Sequence, residues 1–204
     1  MHVSLNDFAY SAQRIENRLG FDDIEMFDLA NKLSVMKITM DRLAKQGFHY
    51  VGDTKSDSKA YTDVSKKRIF IGKDKTTSEA CLSLMYEMTN ATNAYRIKEI
   101  QSSYLSDKSP NRERAIEYAQ AILGIEAEAV FNRSIAAIDL GLEHLIKNKK
   151  YLEIVKLNQD NPDAAIKDIH LEMLENGTVH NGKKKALDYY ISQYFECNYN
   201  SHTL

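Results

Sequence analysis

Tyr86, Glu87 and Asn90 stand within about one helical turn in the stretch Leu84-Met85-Tyr86-Glu87-Met88-Thr89-Asn90-Ala91. Side chains three and four apart share a helix face, so Tyr86 and Asn90 lie one above the other with Glu87 beside both. Chemistry needs polar groups held at fixed spacing, and these three stand together where the helix's apolar pattern is interrupted. Further along, Glu126 falls four residues after Ile122 and four before Val130, inside an apolar stripe, while Glu128 points more outward. A carboxylate on a core face is costly unless it is paired or bound. Arg133, seven residues beyond Glu126, is a candidate partner. The same residues also fit a plainer description, in which Glu87 and Asn90 are solvated positions at the edge of an amphipathic helix and Glu126 is a paired charge.

Other reactive side chains are more scattered. The histidines are His2, His49, His144, His170, His180 and His202, and none is three or four residues from another, so no helix presents a two-histidine metal pair. His170, Glu172 and Glu175, with His180 beyond Gly177, have metal-ligand types but equally describe a solvated helix end. Cys81 and Cys197 belong to no C-x-x-C pair, and Cys81 reads as a buried, inert thiol. Eight scattered glycines form neither a dinucleotide fingerprint nor a phosphate-binding loop, and no G-x-S-x-G occurs. Tyr189, Tyr190, Tyr194, Phe195 and Tyr199 concentrate aromatic area near the end of the sequence. They read as core packing or, through Tyr189, Tyr190 and Tyr194, as a candidate interface.

The elements that must position these groups are helices above all. Two prolines and 8 glycines in 204 residues fall well below the ordinary share of roughly one residue in eight. Apolar residues at intervals of three and four predict a helix over Asp23–Lys45, closed by Gln46-Gly47. Ala60–Val64 and Arg68–Ile71 flank Ser65-Lys66-Lys67 as a small β-hairpin, with Phe48–Val51 as a candidate third strand. After Lys75 the pattern is helical throughout. Thr76 or Thr77 can cap a helix with Glu79 in its first turn, running to about Tyr104. Ser109-Pro110 starts a second long helix whose pattern extends to Leu145, with a bend expected near Gly124 or Gly141. Pro162–Glu175, stopped by Asn176-Gly177, and Lys183–Glu196 follow. The expected fold is therefore mainly α with a small β-hairpin, in a single domain over 1–204. Its expected parts are N-terminal helices over 1–47, the hairpin region over 48–75, two long central helices over 76–147 and C-terminal helices over 148–204.

Charge excludes some functions. Twenty-seven basic against 29 acidic side chains give a net charge of −2, so no electrostatic footprint for nucleic acid or an anionic membrane is expected. The short runs Lys147, Lys149, Lys150 and Lys183–Lys185 read as solvated surface. No apolar run approaches transmembrane length and no signal-peptide pattern opens the sequence, so a cytoplasmic protein is expected.

The strand-then-helix layout around Glu87, with a glutamate on the next long helix, resembles the zincin metallopeptidases of the glutamate-ligand type. In that motif two histidines one turn apart bind zinc and the glutamate between them activates water. Here Tyr86 and Asn90 occupy the two histidine positions, Glu87 keeps the general-base position, and Glu126, or else Glu128, matches the third ligand. Tyr86–Ala94 and Ile125–Ala129 are similar to the Glu-x-x-Asn-Ala and Glu-x-Glu-Ala elements of zincin-like domains in bacterial toxin and immunity systems. The resemblance covers roughly residues 60–135. It implies a zincin-shaped scaffold that has lost its metal, holds no cofactor and binds and neutralises a protein partner, such as a toxin met by its immunity protein. The alternatives are a metal-dependent hydrolase that uses Glu87 as general base, and a secreted effector.

Overall fold

The computed structural model describes residues 23–53, 60–72, 75–105, 109–179 and 182–200. The segment 1–20, His2, His180 and His202 lie outside them. The protein is mainly α with a small β part. It divides into two compact units interleaved in sequence: Met1–Thr92 with Asn132–Lys149, and Asn93–Phe131 with Lys150–Leu204.

The first unit opens with α1 (Asp23–Asn31) and α2 (Ser34–Lys45). The single helix expected over Asp23–Lys45 is thus two. Neither proline nor glycine marks the break; Leu33 takes an extended backbone, φ −102° and ψ 114°, and is buried. The interruption lets each helix turn its own apolar face inward, Met26, Phe27 and Ala30 from α1 and Met36, Met40 and Leu43 from α2. Strands β1 (His49–Asp53), β2 (Ala60–Asp63) and β3 (Arg68–Gly72) form a sheet in the order β1-β3-β2. β2 and β3 make the expected antiparallel hairpin, and β1 joins β3 in parallel as a third strand. Asp63 Oδ1 accepts from Ser65 Oγ and the Lys66 amide at the hairpin turn, which settles the local backbone groups that no strand partner reaches. Residues alternate across the pleat: Ile69 and Ile71 enter the core, while Phe70 stacks on Tyr61 with ring centroids 4.5 Å apart.

Helix α3 (Thr77–Thr92) packs on α1, α2, β2 and β3 through Ala80, Cys81, Leu84, Met85 and Met88. Its start carries a reciprocal capping box. Thr76 Oγ1 accepts from the Glu79 amide at 3.3 Å, and Glu79 Oε2 accepts from the Thr76 amide at 2.9 Å. Thr76→Ala is expected to cost about 1 kcal/mol, read as a lowered midpoint in urea with an unchanged slope.

The second unit holds α4 (Ala94–Tyr104), the first part of α5 (Arg112–Asp139), nearly all of α6 (Lys149–Leu157), α7 (Pro162–Asn176), the short pair β4 (Thr178–Val179) and β5 (Lys184–Lys185), and α8 (Ala186–Asn200). The helix expected to run from Thr76 or Thr77 to Tyr104 is interrupted at Asn93, which has φ −89° and ψ 6° and donates through Nδ2 to Glu128 Oε2 at 2.9 Å. A bend at Gly124 is replaced by helix, and the pattern expected to reach Leu145 ends earlier. Gly141, at φ 67°, ends α5, with the Leu142 amide reaching back to the Ala137 carbonyl at 2.7 Å, a Schellman arrangement. Asn161 caps α7 by accepting from the Ala164 amide, with Pro162 in the first turn. Gly177 closes the helix where a Cβ would stand 2.4 Å from the Met173 carbonyl oxygen. Ala115, Tyr118, Ile122 and Tyr194 form a core cluster here. No described helix is long and apolar enough to cross a membrane.

Candidate functional site

Glu87 lies on the buried side of α3 and is only 6% exposed. The hairpin supplies its main partner: Thr62 on β2 donates through Oγ1 to Glu87 Oε2 at 2.9 Å and to the Glu87 carbonyl at 3.0 Å. The Asn90 side chain, one turn on, also hydrogen-bonds the carboxylate, and Lys75 and Arg133 add favourable charge. Burial nevertheless outweighs these contacts and pushes the carboxyl up to about 7, because a desolvated carboxylate prefers its neutral form. The solvated-edge description of Glu87 therefore fails. Tyr86 is partly buried beside it, and Asn90 Oδ1 is buried with no hydrogen-bond partner among the described residues.

Arg133 belongs to this neighbourhood and not to Glu126. The field on its guanidinium comes from Glu79 and Glu87. The sequence spacing that suggested Glu126 counted only positions on one helix. The pairing is decided by what packs against the last turns of α5, where Asn132 Nδ2 donates to Thr89 Oγ1 of α3 at 3.2 Å.

Glu126 sits in the second unit, partly buried on α5. Tyr190 of α8 donates to its Oε1 at 3.3 Å. Desolvation raises the Glu126 carboxyl to about 7 as well, against the lowering effect of that hydroxyl. The Tyr190 phenol is raised in turn, first by burial and then by the neighbouring carboxylate. Glu128 does not simply point outward: it binds Asn93 and pairs with Arg96, fixing the start of α4. Of the three tyrosines marked as a candidate interface, Tyr194 is 0% exposed and belongs to the core. Tyr190 is held by Glu126, and Tyr189 packs edge-on to Tyr190 with Lys184 over its ring.

The residues do not fit the zinc that the zincin layout implies. Tyrosine and a side-chain amide stand at the two histidine positions, and the Glu87 carboxylate is taken up by Thr62 and Asn90. Among the described residues no three His, Cys, Asp or Glu side chains gather as a metal site. His170 turns to the Gln120 backbone carbonyl and is held below the usual histidine range by burial; its ring packs 3.8 Å from the Cβ position of Gly124. Cys81 is fully buried, and desolvation pushes its thiol up to about 12, out of reach of nucleophilic chemistry.

Thr62 and Lys75 are the site residues that sequence reasoning missed. Thr62 sits in a recognisable strand, and the signal was available in the hairpin's position just before the Glu87 helix. Its bond to a residue 25 positions away has no local signature. In comparisons with known proteins, no family model, no curated protein and no solved structure matched this chain.

Proposed function

We propose that the chain is a non-catalytic, zincin-like binding protein that binds and neutralises a protein partner, most simply as an immunity protein against a bacterial toxin. The observation that carries this reading is the state of Glu87. At the position where a zincin holds its general base, this glutamate is buried and its oxygens are engaged by Thr62 and Asn90. A carboxylate committed to its own scaffold ties the hairpin to α3 and leaves little reach to a substrate water. The test is co-purification of the tagged full-length protein with the product of the adjacent gene from the native host. A stoichiometric complex is expected; a folded protein that captures no such partner and gives no protection against it contradicts the reading.

One observation favours a hydrolase. A carboxyl that titrates at about 7 has the proton affinity of a general base at neutral pH. In that case Glu87→Gln abolishes a hydrolytic activity and the purified protein carries stoichiometric metal. A cytoplasmic site of action belongs to the immunity reading, and a secreted effector would bind its partner with the same scaffold.

A further inference from the structure

The exposed aliphatic side chains of the first unit gather on two helices. Ile24 on α1 is 69% exposed, and Val35 and Ile38 on α2 are 40% and 60% exposed. Among the described residues of this unit the other large exposed hydrophobe is Tyr61, whose ring is stacked on Phe70. Single exposed apolar residues are ordinary, but a cluster marks a contact surface. Both helices bury their inward faces against α3, so their opposite sides point away from it. On α2, Val35, Ile38, Arg42 and Lys45 recur at intervals of three, four and three, which aligns them along one stripe, and Lys37 is exposed at its flank. The half-buried Asp41 is the single carboxylate of this helix. Lys67 adds a cation at its end, where Nζ donates to the Gln46 carbonyl at 2.8 Å. α1 has the opposite sign. Glu25 and Asp28 are exposed beside Ile24, and α1 carries no basic residue. Thr77 Oγ1 donates to Glu25 Oε2 at 3.2 Å and leaves its charge in place. Lys32, exposed, stands in the link between the two helices.

We propose that this face joins two copies of the chain, about a two-fold axis that sets α1 of each copy on α2 of the other. The face carries both halves of its own complement, aliphatic residues on both helices and opposite charge on each, which is what an isologous contact requires. The acidic α1 then meets the basic α2 twice, and Ile24 packs toward Val35 and Ile38 of the other copy. A two-fold that set α2 on α2 would bring Arg42 and Lys45 against themselves, and like charges across an interface are costly. A uniformly acidic partner or an anionic membrane would meet Glu25 and Asp28 with like charge, so the segregation of sign favours a second copy. The contact lies within one unit and does not depend on the protein partner proposed above.

The experiment is sedimentation equilibrium of the full chain over about 1–300 μM, the range in which a weak two-fold contact assembles. A monomer–dimer equilibrium that weakens as salt is added is expected. Ile38→Ser should raise the dissociation constant about a hundredfold, because a tenfold loss at one contact is counted twice across a two-fold axis. Asp28→Lys alone and Arg42→Glu with Lys45→Glu should each give monomers, since each repeats a like-charge clash on both sides of the axis. Mixing these two charge-reversed proteins should restore a dimer, because in the mixed pair both α1–α2 contacts regain opposite signs. Urea midpoints confirm that each variant folds, and Lys45→Glu alone replaces the double variant if that one does not. A monomer at every concentration leaves the face to another molecule or to solvent and overturns the proposal. So does a dimer indifferent to Ile38→Ser, or a mixture of folded, charge-reversed proteins that stays monomeric.

Discussion

Glu87→Gln is expected to make the protein more stable at pH 8 than the wild type, by on the order of 3 kcal/mol relative to the same comparison at pH 4. The wild-type carboxyl titrates at about 7 in the fold against an ordinary value of 4.5. The folded state therefore holds its proton more tightly than the unfolded chain does. Between those two values unfolding releases a proton, so this group's contribution to stability falls as pH rises from about 4.5 to about 7 and stays low above that. Glutamine keeps an oxygen for the Thr62 hydroxyl but carries no charge to desolvate. Glu126 titrates at about 7 for the same reason, so the variant should lose only part of the wild type's decline. Urea unfolding of both proteins across pH 4–8 checks this. A difference between them that does not change with pH would show that Glu87 ionises freely.

Tyr194→Ala should be the most damaging single truncation in the second unit, at about 3–5 kcal/mol. Tyr194 is completely buried. Its ring packs against Tyr118 with centroids 6.0 Å apart and edge-on to Phe195 at 5.3 Å, in the cluster with Ala115 and Ile122. Removing it leaves a cavity among rigid rings that cannot collapse, and Tyr118 cannot follow easily because its hydroxyl donates to Gln193 Oε1 at 3.0 Å. Since a domain is stable by only about 5–15 kcal/mol, the loss should be visible as a large drop in the denaturation midpoint. Tyr199→Ala is the natural comparison: Tyr199 is 63% exposed, and its loss should cost under about 1 kcal/mol.

What could be read from the residues was local. The capping box at Thr76 and Glu79, the hairpin around Ser65–Lys67, the start of α7 at Pro162 and its stop at Gly177 each depend on neighbours within a few positions, and each stands as expected. The breaks at Leu33 and Asn93 were not legible. Leu33 is interrupted by what its side chain buries, and Asn93 is held by Glu128, 35 residues away. The candidate site divides along the same line. Helical periodicity placed Tyr86, Glu87 and Asn90 together, and composition showed that imidazoles were missing. The partners that set the chemistry of Glu87, namely Thr62, Lys75 and Arg133, come from β2, the approach to α3 and the end of α5. Arg133 in particular sits seven residues from Glu126 along one helix, a spacing that suggests a pair, yet its field is shared with Glu79 and Glu87.

On the proposed function, Glu87 supports a binding scaffold and performs no catalysis. The most direct measurement is survival of cells that express the product of the adjacent gene together with either the wild-type protein or Glu87→Gln, at equal levels of folded protein. Equal protection by the two is the predicted result, because glutamine preserves the Thr62 contact and the shape of the site. Protection by the wild type that vanishes in a folded Glu87→Gln protein contradicts the account and makes Glu87 a catalytic residue.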